Sequence, residues 1–166
     1  LHVTLGWGNL TGLQGAAGLV GLSALGRIAR AASLGDRPPV TTSGDPLLNI
    51  LSQDTLRSAY RSIDIYDRYD PLSAQLAGLT PFGYTAGTLP IVYDQEIAAN
   101  IMLGHFGSEV GLIADAGERT GSLTLGGSDD LTAQAVLYAA AEEPLIGEEL
   151  YASGAYLQVG LMHLGS

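Results

Sequence analysis

Residues Ala99–Asp130 read ANIMLGHFGSEVGLIADAGERTGSLTLGGSDD, and the fold class turns on how this stretch is parsed. Ile101, Met102 and Leu103 form a short apolar run that stops at Gly104. Gly107 and Ser108 then open a helical pattern in which Val110, Ile113, Ala114 and Ala116 fall on related faces. Arg119-Thr120-Gly121 ends the helix, and Ser122 to Leu125 alternates like a strand before a glycine turn at Gly126-Gly127. This is the grammar of a βαβ unit, with loops gathered at the strand C-termini. It predicts an α/β, Rossmann-like three-layer domain with a largely parallel sheet.

Upstream the same order recurs. Leu1 to Leu5 reads as a strand ending at Gly6, and Leu13 to Ala32 as a helix with Leu22, Leu25 and Ile28 on its apolar face. Val40 to Thr42 is a second strand. Ser43-Gly-Asp-Pro46 predicts a helix start with Asp45 as N-cap and Pro46 in the first turn, and that helix runs to about Arg61. Ala74 to Leu79 reads as a short helical turn, and Pro81 to Ala86 as a third strand. Ser128-Asp129-Asp130 caps a helix that ends before Pro144. Leu145-Ile146 is a last short strand, and Gly147-Glu148-Glu149 starts a final helix.

Composition narrows the chemistry. The chain has 166 residues, enough for one domain with a proper core. It has no cysteine and no lysine. A cysteine nucleophile, a disulfide framework, a lysine Schiff base and a phosphate loop ending in Gly-Lys are therefore excluded. Charged residues make up 14% of the chain, against about 25% in ordinary domains. Residues 1–68 carry a net charge of +1 and residues 69–166 one of −11. An acidic chain without a basic stripe argues against nucleic acid and against anionic lipid surfaces. Val3 to Gly26 carries no charge, which raises a membrane span, but Asn9, Gln14, Ser23 and the glycines dilute it. A helix packed closely on its sheet is the preferred reading. The start at Leu1 and the apolar run up to Ser166 suggest a segment of a longer chain.

Two candidate sites emerge. Gly6-Trp-Gly8-Asn-Leu-Thr-Gly12 sits where a dinucleotide fingerprint would sit, but its spacing is G-x-G-x-x-x-G, and plain turn chemistry is the preferred reading. The second is acidic: His105, Glu109, Asp129, Asp130, Glu148 and Glu149 fall at or near helix starts, on one rim of the sheet. Such a rim could bind a ligand or a divalent metal, although capping and the helix dipole explain the same residues. The ligand-binding candidates are accordingly Gly6, Gly8, Gly104, Glu109, Asp129, Glu148 and Glu149. No catalytic constellation is intact, and no cofactor or resident metal is assigned.

Gly104-His-Phe-Gly-Ser-Glu109, Gly126-Gly-Ser-Asp129 and Ile146-Gly-Glu-Glu-Leu-Tyr-Ala-Ser-Gly-Ala-Tyr-Leu157 resemble the prokaryotic family catalogued as domain of unknown function 6754. Leu22-Ser-Ala-Leu-Gly-Arg-Ile-Ala-Arg30 and Ser43-Gly-Asp-Pro46 are similar too. The resemblance implies a membrane-associated protein anchored by segments outside this chain, and it marks Glu109, Asp129, Gly147, Glu148 and Glu149 as family-like positions. It implies no activity. Low charge, high glycine and apolar ends point to a non-catalytic binding or self-assembly module, with a homo-oligomer as the expected state and a small molecule as a candidate ligand. The alternative is a ligand- or metal-dependent enzyme or sensor that uses the acidic rim.

Overall fold

The computed structural model describes residues 1–32, 38–94, 97–128 and the backbone of 143–146. Six strands form one sheet: β1 (His2–Gly6), β2 (Val40–Ser43), β3 (Ala74–Leu76), β4 (Ala99–His105), β5 (Leu123–Ser128) and β6 (Glu143–Ile146). Their order is β3-β2-β1-β4-β5-β6, and every neighbouring pair is parallel. This is the doubly wound order in which the direction of winding reverses between β1 and β4.

Helices α1 (Gly15–Ala32) and α2 (Pro46–Ser62) cover one face. Val3, Leu5, Ile101, Leu103 and Leu125 of the sheet meet Leu22, Leu25, Ile28, Leu48, Leu56 and Tyr60 there. On the other face α3 (Pro81–Val92) and α4 (Val110–Arg119) close a core of Tyr84, Val92, Met102, Phe106, Val110 and Ile113. The fold is therefore an α/β three-layer domain with a parallel sheet, as the residue pattern predicts. Its α1 helix sits directly on the sheet: a Cβ added at Gly21 would lie 2.8 Å from the Leu103 carbonyl oxygen. No helix among the described residues is long and apolar enough to cross a membrane.

Local chemistry explains the helix starts. Asp45 has extended backbone, and its carboxylate accepts from Leu48 N at 3.0 Å, with Pro46 in the first turn as expected. The same device overturns the strand expected at Pro81–Ala86. Thr80 accepts from Gly83 N at 3.0 Å, Pro81 takes the first helical position, and Tyr84, Thr85, Thr88 and Val92 are buried at helical spacing. The proline that weakens a strand is here the helix initiator.

Two further expectations are corrected. Ala74–Leu76 is strand β3 rather than a helical turn, because it supplies the outer edge of β2 with hydrogen bonds (Thr41↔Ala74, Ser43↔Leu76). Gly126-Gly127 is not a turn. Both residues lie inside β5, where β4 and β6 pair on either side and override glycine's weak strand preference. The helix expected after Ser128 and the one after Gly147 lie outside the described residues.

Candidate functional site

The winding reverses between β1 and β4, so the helices that follow these strands cover opposite faces of the sheet, and the strand C-termini at that point are where doubly wound sheets carry a ligand crevice. The first loop opens with Gly6-Trp7-Gly8 and continues to Gln14; the second runs from His105 to Glu109. Gly104 lies one residue before the end of β4, where a side chain would run into the Leu5 carbonyl.

Glycine is required at Gly6, whose φ is +76° and whose missing Cβ leaves room for the His105 carbonyl. That carbonyl accepts from Trp7 N at 3.1 Å, while the Gly6 carbonyl accepts from Gly44 N at 2.8 Å. Gly6 thereby ties the ends of β1, β2 and β4 together. At Gly8 a Cβ would lie 2.7 Å from His105 Cβ, and at Gly44 one would lie 2.6 Å from Trp7 Cβ. These glycines serve close packing of the loops, so the turn reading accounts for their spacing.

Trp7 passes between those glycines. Its indole stands edge-on to the His105 ring, with centroids 4.8 Å apart and planes at 83°. Its Nε1–H donates to Glu109 Oε1, and the same oxygen accepts from Gly107 N at 2.8 Å. Glu109 is the N-cap position of α4, yet it makes no side-chain cap bond into the helix, since its carboxylate is turned back to the loop. Ser128, at the end of β5, accepts from Phe106 N at 3.3 Å and braces the same segment.

A buried polar chain runs under this rim, on the face covered by α3. The two ring nitrogens of His2 lie 2.9 Å from Asn100 Oδ1 and 2.9 Å from Thr42 Oγ1. Thr42 Oγ1 donates to Thr4 Oγ1 at 2.7 Å, and Thr4 meets the Tyr84 hydroxyl, which also contacts the Gly6 backbone. All five side chains are fully buried. Burial lowers the His2 imidazole to about 4, against the Asn100 contact that favours its charged form, and burial pushes the Tyr84 hydroxyl above its ordinary value. His2 is thus a neutral core histidine.

Of the residues singled out from the sequence, Gly6, Gly8, Gly104 and Glu109 come together at the crevice. Asp129, Glu148 and Glu149, together with Asp130, lie outside the described residues. Trp7 was missed; its signal was to be the chain's sole tryptophan, set between two glycines at a strand end. The described arginines lie elsewhere: Arg27, Arg30, Arg57, Arg61 and Arg119 sit in the C-terminal halves of their helices, and Arg68 follows α2. Helices that follow parallel strands begin at the strand C-termini, so those arginines fall away from the rim. Among the described residues the rim therefore offers the Glu109 carboxylate, the Trp7 indole, the His105 imidazole and backbone groups, with the Asp45 carboxylate one residue past the Gly44 that packs on Trp7. No group of three potential metal ligands occurs among the described residues.

Comparison with curated proteins and with solved structures gave no match. A family model described as Domain of unknown function (DUF6754) matches residues 4–166, and the chain belongs to that family.

Proposed function

We propose that this domain is a non-catalytic binding module whose small-molecule ligand occupies the crevice between the β1 and β4 loops. The observation that carries the reading is the strand order, which brings Gly6, Gly8, Gly104 and Glu109 to the one place where doubly wound sheets receive ligands. The described contacts of the Glu109 carboxylate are the Trp7 indole and Gly107 N, with no Lys or Arg among them, and this favours binding over catalysis. The metal-dependent alternative needs Asp129, Glu148 and Glu149, and Glu109 alone gives it no cluster. Attachment to a membrane through segments outside this chain belongs to the same proposal, on the strength of the family resemblance alone.

A native mass spectrum of the gently purified protein tests the reading. A discrete extra mass, lost on denaturation together with a change in Trp7 fluorescence, is the expected result. A ligand-free protein whose Trp7 emission ignores a panel of nucleotides and metabolites would overturn it.

One observation favours self-assembly as a second reading. Leu72, Leu79 and Phe82 are 76%, 70% and 81% exposed, and they cluster in sequence around β3, the edge strand of the sheet. A bare homo-oligomer in the same spectrum, broken by Phe82→Ser, would support it.

A further inference from the structure

Building on the self-assembly reading, we infer that a second copy of this chain docks on the free edge of β3. The two β3 strands pair antiparallel about a two-fold axis at Gln75, so that two sheets join into one. Ala77 N donates to the Ser43 carbonyl at 2.8 Å, which turns the backbone groups of Ala77 and Gln75 towards β2. Bonding groups alternate sides along a strand, so the N–H and C=O of Ala74 and Leu76 point away from the sheet. β3 ends the sheet, and no hydrogen bond among the described residues reaches Ala74 or Leu76 from that outer side.

Unpaired edge groups are a template for another strand, and sheets blunt them with charge or proline. The opposite edge strand, β6, carries both, as Glu143 and Pro144. β3 carries neither. Pro71 to Tyr93 holds no charged residue in a chain of net charge −10, and Leu72, Leu76, Leu79 and Phe82 are exposed along it. Two such chains repel one another, and this stretch lets them meet without setting carboxylate against carboxylate. The edge also matches its own copy, as a two-fold contact requires. With Gln75 facing Gln75, Ala74 of each strand lies opposite Leu76 of the other, and the outward groups of both are satisfied. Gln75 is exposed, and its amide, which donates to the Leu72 carbonyl at 3.1 Å, offers an acceptor as well as donors across the axis.

Sedimentation velocity of the whole chain over a concentration series tests the contact. Gln75→Glu and Gln75→Arg should each weaken the dimer about tenfold or more, because like charges then face each other across the axis. An equimolar mixture of the two variants should associate at least as tightly as the parent, since unlike charges are then opposed. A parent dimer indifferent to both substitutions, or a mixture no tighter than either variant alone, would overturn the edge contact and leave self-assembly through another surface. A strictly monomeric parent would overturn self-assembly and this contact together, leaving the edge to a strand of another protein. The parent also gives a measurement that needs no variant: exchange of the Leu76 amide with solvent should slow as the dimer fills. Exchange that ignores dimerisation would overturn the pairing.

Discussion

Acidification should weaken this fold through one side chain, His2. The ring is fully buried between Asn100 and Thr42, and burial is the main cause of its lowered pKa, with the charged N-terminus adding a smaller push in the same direction. Its folded pKa is about 4, against an ordinary value of 6.5. The sign follows from linkage. Above the ordinary value both folded and unfolded chains hold a neutral ring, and the full stability is present. Below it the unfolded chain takes up a proton that the folded chain refuses, so unfolding becomes easier until the folded ring also protonates near pH 4. At about 1.4 kcal/mol per pH unit, the gap between the two values amounts to about 3 kcal/mol. That is a large share of the ~5–15 kcal/mol typical of a domain.

The assay is urea unfolding, followed by circular dichroism, at steps between about pH 7 and about pH 4, a window set by the two pKa values. His2→Gln removes the titration while keeping a polar side chain next to Thr42. The variant should be less stable at neutral pH, yet it should lose about 3 kcal/mol less than the parent across that window. Taking the difference cancels the carboxylates common to both. Parallel curves would show that His2 is not buried neutral, and the polar chain to Tyr84 would have to be redrawn.

Three other perturbations check the architecture around the rim. Gly8→Val places atoms against His105 Cβ, where even a Cβ would lie 2.7 Å away, and should lower stability by about 1–3 kcal/mol in thermal unfolding while changing Trp7 emission. Asp45→Ala removes the acceptor for Leu48 N and should cost about 1 kcal/mol, with Asp45→Ser recovering most of it. Tyr84→Phe deletes the hydroxyl that meets Thr4 and should cost about 1 kcal/mol, because the buried Thr4 hydroxyl loses one partner and keeps Thr42.

Much of the fold was legible because its signals are local. Asp45-Pro46 announces α2 through a side chain and a fixed φ within three residues of one another. The apolar run through Ile101–Leu103 announces β4, and Val110, Ile113 and Ala114 announce α4. The same kind of signal is present at Thr80-Pro81, where the cap and the proline start α3 over the residues that read as a third strand. β3 and the glycines of β5 were illegible for another reason. Their conformation is imposed by hydrogen bonding to β2, β4 and β6, and nothing in Ala74–Leu76 or Gly126-Gly127 carries that information.

The site divides in the same way. From the sequence alone came the excluded chemistries, the glycines at the end of β1, Glu109 at a helix start and the parallel α/β class. Each follows from composition or from contacts between near neighbours in the chain. Only the tertiary structure set β1 beside β4, and with it the meeting of Trp7 with Glu109 and of His2 with Asn100, pairs 102 and 98 residues apart. Those encounters depend on strand order, which is decided by how two layers of helices cover both faces of one sheet, and periodicity along a chain does not encode it.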